Sequence, residues 1–123
     1  MSEMDEQWAA VESAVAASRR EGGLDLVHES PLRSGTVPLP YELVMAFVGR
    51  FRESADGFLR SKLTHADPVV VGYALFALDQ IEAPLRDAAA ALRHRTEPLW
   101  AGAGCFGWRG TLAEYAERLA KDD

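Results

Sequence analysis

A short phrase occurs three times along this chain. Leu26-Val27-His28-Glu29-Ser30-Pro31, Leu63-Thr64-His65-Ala66-Asp67-Pro68 and Leu92-Arg93-His94-Arg95-Thr96-Glu97-Pro98 each read Leu-x-His, two or three further residues, then Pro. In a second register, Pro38, Pro68 and Pro98 fall thirty residues apart, and each opens an apolar, Ala-rich stretch of helical period. Recurrence at this interval is the mark of one supersecondary unit used repeatedly, and units of that kind bury their apolar faces against each other.

The helical period extends beyond these stretches. Residues 3 to 20 place Trp8, Val11, Ala14 and Val15 on one stripe, with acids in the first turn and Arg19 and Arg20 in the last, and Gly22 and Gly23 follow as a stop. Residues 24 to 37 are the least regular: Leu24, Leu26 and Val27 could begin a short helix, whereas Ser30-Pro31 and Ser34-Gly35 read as turns. Helices are predicted over Pro40 to Arg52, with Leu43, Val44, Phe47, Val48 and Phe51 inward, and over Ser54 to His65, around Phe58, Leu59 and Leu63. Asp67-Pro68 is the sharpest start, because an Asp N-cap accepts free backbone N–H groups and Pro at the first helical position sacrifices no hydrogen bond. That helix is expected to reach Gln80. Ala83-Pro84 then opens another to His94, since Pro is tolerated only in a first turn. Glu97-Pro98 repeats the acid-Pro start before a segment weakened by Gly102, Gly104 and Gly107, and Thr111-Leu112-Ala113-Glu114 is a capping box for a last helix through Leu119. No alternating strand pattern is read, so the predicted fold is all-α with about six or seven helices in a single domain spanning residues 1–123, led by an N-terminal helix within 1–22.

The segment Asp67-Pro68-Val69-Val70-Val71-Gly72-Tyr73-Ala74-Leu75-Phe76-Ala77-Leu78 resembles the second helix of a HEAT repeat, with its Asp-Pro start, Val pair and Ala-x-x-Ala-Leu core. Residues 97 to 111 are a weaker copy and 37 to 51 a weaker third. The resemblance implies a right-handed α-α stack of helical hairpins over 37–120. Repeats of this type carry an Arg two residues after the first Val and a polar residue just before the second core Ala, where this chain has Val71 and Phe76, and Ala101 and Phe106 in the next copy. The resemblance therefore implies that Phe76 and Phe106 sit at equivalent places on neighbouring helices, facing away from the layer core and about 8–10 Å apart. With Val71, and with Tyr41, Asp79, Gln80 and Arg109 flanking, they would make an apolar strip for a partner. The alternative is that both rings are buried beneath the last helix or at the end of the stack.

Composition narrows the function. Nineteen acidic against thirteen basic residues give a net charge of −6, which repels phosphate backbones and favours a basic protein as partner over nucleic acid. The lone cysteine, Cys105, cannot form an internal disulfide, the first residues are acidic where a signal peptide needs basic ones, and no stretch approaches the roughly 20 apolar residues that span a bilayer. A soluble cytoplasmic protein with no membrane contact is expected.

No catalytic or metal motif is found. Three histidines at equivalent places in stacked repeats would stand a helix spacing apart, too far to share one zinc, and each is better read as a C-terminal helix residue facing the last carbonyls. Cys105 would be a nucleophile only if a base such as His94 approached it, and a lone Cys on an Ala/Gly-rich segment is ordinarily a small buried side chain. Glu12, Glu21, Asp25, Glu29, Asp56 and Asp87 are scattered, and no cofactor motif occurs. The expectation is a non-catalytic module that binds another protein, in the manner of an immunity protein or antitoxin that neutralises a basic effector. A scaffold or adaptor subunit of a larger complex is the alternative, and a small hydrolase using Cys105 the remaining one.

Overall fold

The computed structural model describes residues 2–18, 23–25, 40–103 and 106–121. Most of these are helical. In chain order the elements are α1 (Glu3–Ser18), β1 (Gly23–Asp25), α2 (Pro40–Phe51), α3 (Ala55–Ser61) continuing into a 3-10 turn (Lys62–Thr64), α4 (Pro68–Gln80), α5 (Arg86–Ala91), β2 (Pro98–Ala103), β3 (Phe106–Thr111) and α6 (Leu112–Ala120).

Helix α4 is the axis of the molecule, and its sequence explains why. Pro68 to Leu78 carries no charged residue, so this helix has no face suited to water. Every residue from Val69 to Leu78 is buried, under α1, α2, α3, β1 and α6. Asp67 caps it as expected, its Oδ1 accepting from the Val69 N–H at 2.9 Å. At the other end Glu82 takes a left-handed conformation (φ 60°), the Glu82 N–H donates to the Asp79 carbonyl, and the Ala83 N–H donates to that of Leu78. This is a Schellman stop built without glycine. Ala83, Pro84 and Leu85 belong to that stop and the link beyond it, which is why α5 begins at Arg86 and not at the proline.

Helix α1 lays Trp8, Val11 and Val15 into the core. The Trp8 ring meets Phe47 and Phe58 edge-on, with centroids 5.3 and 6.4 Å away. Its Nε1–H is buried with no hydrogen-bond partner among the described residues. Outside, Arg50 of α2 ties α1 down through Glu3 at 2.8 Å.

Residues 98–111 overturn the expected third helical unit. They form an antiparallel hairpin in which Ala101 pairs with Trp108 and Leu99 with Gly110, and β1 adds to β2 in parallel, giving a three-stranded sheet in the order β1-β2-β3. Gly23, expected as a helix stop, and residues 24 and 25, expected to be irregular or helical, thus supply a strand. Four glycines between 102 and 110 each cost about 1 kcal/mol in a helix relative to Ala, and the aromatic side chains between them suit a sheet. The period of two is present but disguised. Leu99 and Ala101 face inward, while the outward position between them holds another apolar residue, Trp100. Trp108 lies inward over Tyr115 of α6, centroids 5.5 Å apart. Thr111 and Glu114 close their capping box at 3.0 and 3.1 Å and start α6 immediately after the hairpin.

Candidate binding groove

The recurring Leu-x-His phrase becomes meaningful in three dimensions. Leu63 of the second copy and Leu92 of the third lie in one groove of about 480 Å³, between the α3/3-10 segment and α5. Its floor is Leu63, Ala88 and Leu92, all buried, with Thr64 and Ala91 at the sides. The groove exists because α5 is Arg-Asp-Ala-Ala-Ala-Ala: a helix surface of methyl groups cannot fill the space that longer side chains would close.

Three charged residues complete the lining, and two are already satisfied. Arg60 donates from Nε to Asp56 and from Nη2 to the Pro84 carbonyl, both at 2.6 Å. Arg95 donates from Nε to both oxygens of Glu97 at 2.9 and 3.0 Å, from Nη1 to the His65 carbonyl at 3.1 Å and from Nη2 to the Ala66 carbonyl at 3.3 Å. These bonds to Arg95 hold the Glu97 carboxyl below the usual carboxylate range. The third, Asp87, is exposed at the rim and forms no ion pair among the described residues. The groove is therefore apolar below, internally neutralised along its walls, and carries one uncompensated carboxylate.

Arg95 also fixes how the chain leaves the groove. The Ala113 N–H donates to the Arg95 carbonyl and the Leu112 N–H to that of Glu97, so the start of α6 is bonded to the strand entry. Behind the groove, His65 stands at the end of the 3-10 turn, the helix-end position expected of the histidines, but its ring meets a backbone N–H and a carboxylate instead of the last carbonyls. Its Nδ1 accepts from the Asp67 N–H at 3.0 Å, and its Nε2 lies 2.8 Å from Oε1 of Glu12 on α1. His94 is exposed in the turn after α5. No group of three His, Cys, Asp or Glu side chains able to hold a metal occurs among the described residues. His28 and Cys105 lie outside them.

The expected partner strip is not formed as drawn. Phe76 is 8 % exposed, Val71 0 % and Tyr41 5 %, and the Tyr41 and Phe76 rings pack edge-on at 5.8 Å. The reason is the all-round burial of α4: in a stack one side of this helix would stay open, but α2 covers the side that carries Phe76. The side chain of Phe106 lies outside the described residues, and its segment is a strand and not a neighbouring helix. Asp79 and Gln80 end α4 half-buried, whereas Arg109 is exposed on β3 opposite Trp100. Asp79 instead acts inward. Burial, with the Asp79 carboxylate adding to it, pushes the Tyr115 hydroxyl far above its ordinary range.

The groove residues were missed because each looks unremarkable alone. The available signal was that Leu63 and Leu92 belong to the same repeated phrase and that His65 and Arg95 are one thirty-residue period apart. Comparison with protein-family models, curated proteins and solved structures finds no match. No helix of the described residues is long and apolar enough to cross a membrane.

Proposed function

We propose that this chain is a non-catalytic binding module that takes an apolar segment of a basic partner protein into the groove between α3 and α5. The observation that carries this reading is the combination of an open apolar floor, formed by Leu63, Ala88 and Leu92, with a carboxylate at its rim, Asp87, that forms no ion pair among the described residues. An apolar side chain flanked by a Lys or Arg complements both features, and the net charge of −6 favours the same partner at longer range. Within this reading the narrower proposal is neutralisation of a basic effector, as an immunity protein or antitoxin does. The HEAT-like resemblance is retained for residues 40–94 only, supported by the Asp67-capped, Pro68-led helix and the helices on either side of it.

The test uses a tagged full-length chain expressed in its source cells. Co-purified proteins are identified, each candidate is purified, and its affinity for the wild type is measured by calorimetry. Ala91→Trp, which fills the groove from an exposed position, and Asp87→Arg, which reverses the rim charge, should each weaken binding about tenfold or more, with the Asp87→Arg loss shrinking at high salt. Undiminished affinity in both variants would show that the partner uses another face. A tight one-to-one complex with a basic toxin supports the neutralising role, whereas recovery in a multi-subunit assembly supports a scaffold.

A further inference from the structure

The groove has a titratable group built into its rear support. In the observed arrangement His65 Nδ1 accepts the Asp67 N–H, so a neutral ring carries its proton on Nε2, where it faces the Glu12 carboxylate. Both nitrogens are used, and only this tautomer can use both. The two carbonyls that hold Arg95 in the groove wall, those of His65 and Ala66, belong to the short link closed by that Nδ1 bond.

We propose that His65 is a proton-operated latch for the groove: gain of a proton opens the 65–67 link and releases Arg95 from the wall. The inference names a regulation of the groove described above and depends on the binding reading only for its use. Protonation converts Nδ1 from acceptor to donor. Two donors, Nδ1–H and the Asp67 N–H, then face each other across 3.0 Å, and that bond is lost. On the other side of the ring the contact to Glu12 gains charge assistance and tightens. The ring stays with α1 while the link moves away, and the carbonyls that anchor Arg95 move with it. The charged groups on the elements that meet at the ring are Glu12 of α1, Asp67 at the start of α4, Lys62 of the 3-10 turn and Arg95 beyond α5. Oδ1 of Asp67 accepts from the Val69 N–H, which holds that carboxylate at the start of α4. His94, next to Arg95 in sequence, is exposed and accepts from Arg93 Nε at 3.4 Å. It is the one other imidazole among the described residues, and so the control for any response assigned to His65.

The experiment is an NMR titration of the labelled full-length chain from pH 8 to pH 5, with no partner present. At the alkaline end His65 should show the Nε2-protonated tautomer. As its ring takes up a proton, exchange protection of the Asp67 amide should fall about tenfold or more, and the Arg95 Nε–H and Ala91 methyl signals should shift with the same midpoint. His65→Asn supplies an oxygen that accepts the Asp67 N–H in an Asx turn but does not titrate. In that variant the Asp67, Arg95 and Ala91 signals should stay flat, and in His94→Gln the wild-type response should persist. Signals from Arg95 and Ala91 that stay constant while His65 of the wild type titrates would overturn the latch. So would an unchanged response in His65→Asn or its loss in His94→Gln. If His65→Asn does not fold, agreement or disagreement of the wild-type midpoints decides alone. A working latch with no partner bound in the groove would leave this inference standing and remove the binding proposal.

Discussion

Residues 67–80 and 97–111 begin alike and end as opposites. Each opens with an acid, a proline and an apolar run, at positions thirty residues apart, yet the first becomes the most buried helix of the protein and the second a two-stranded hairpin. The start signal is therefore not what distinguishes them. Asp67 reaches over the proline to cap Val69, whereas the Glu97 side chain turns back to Arg95 and leaves the following backbone uncapped. After the prolines, Val, Ala and Leu persist in one segment, while glycines interrupt the other. An acid-Pro pair licenses a helix; the residues of the next two turns decide whether one forms.

The largest expected effect tests burial on the helical side of this contrast. Phe76→Asp places a carboxylate among Tyr41 and the α2 side chains, so it combines loss of a core aromatic, about 3–5 kcal/mol, with the cost of an unpaired buried charge. A urea melt should show the variant unfolded or nearly so. Arg109→Asp, on the exposed side of the hairpin, should stay within about 0.5 kcal/mol of wild type. If Phe76→Asp melted like wild type, α4 would have an open side after all, and the surface strip implied by the HEAT resemblance would be restored.

The hairpin contains a sharper internal comparison. A Cβ on Gly110 would stand 2.8 Å from Cη2 and Cζ2 of Trp108, whereas one on Gly107 meets nothing within 4 Å. Gly110→Ala should cost about 1–3 kcal/mol by displacing the indole from Tyr115, and its near-ultraviolet dichroism should change. Gly107→Ala should leave both nearly unaltered. Equal effects would mean that the indole does not lie over Gly110.

Much of the helical part was legible in the sequence. The Asp67 cap, the Thr111–Glu114 capping box and the Trp8, Val11 and Val15 stripe all depend on neighbours a few residues away, and local rules suffice for them. What was not legible depends on distant chain. Phe76 reads as outward if α4 has one covered face, and only the packing of α2, α6 and β1 around it shows that it has none. The absence of charge from Pro68 to Leu78 carries that information, but only across the run as a whole. The sheet was hidden because Trp100 occupies the outward position where a polar residue would have revealed the alternation. The groove escaped notice because Leu63 and Leu92 look like ordinary helix-end leucines until the chain brings them together.

The smallest predicted effect separates the two acids that precede the prolines. Glu97 is held below its ordinary range by hydrogen bonds from Arg95, and unfolding removes them. A carboxyl with a depressed folded pKa lends stability above its unfolded pKa and forfeits it as the pH falls through the folded value. The side chains of Arg95 and Glu97 are 22 % and 37 % exposed, so solvent screens the pair and its worth stays near that of a surface ion pair, about 0–1 kcal/mol. Glu97→Gln should accordingly lower stability slightly at pH 7, converge with wild type in acid, and flatten the acid limb of stability against pH as read from urea melts. A loss several times larger at pH 7 would mean that Glu97 supports more than Arg95: the Leu112 N–H bonded to its carbonyl, and with it the whole start of α6, would then depend on the side chain's grip. A wild-type acid limb retained in full by the variant would show that Arg95 is held by the His65 and Ala66 carbonyls alone, and the hairpin's leading acid would be as dispensable as the helix's is necessary.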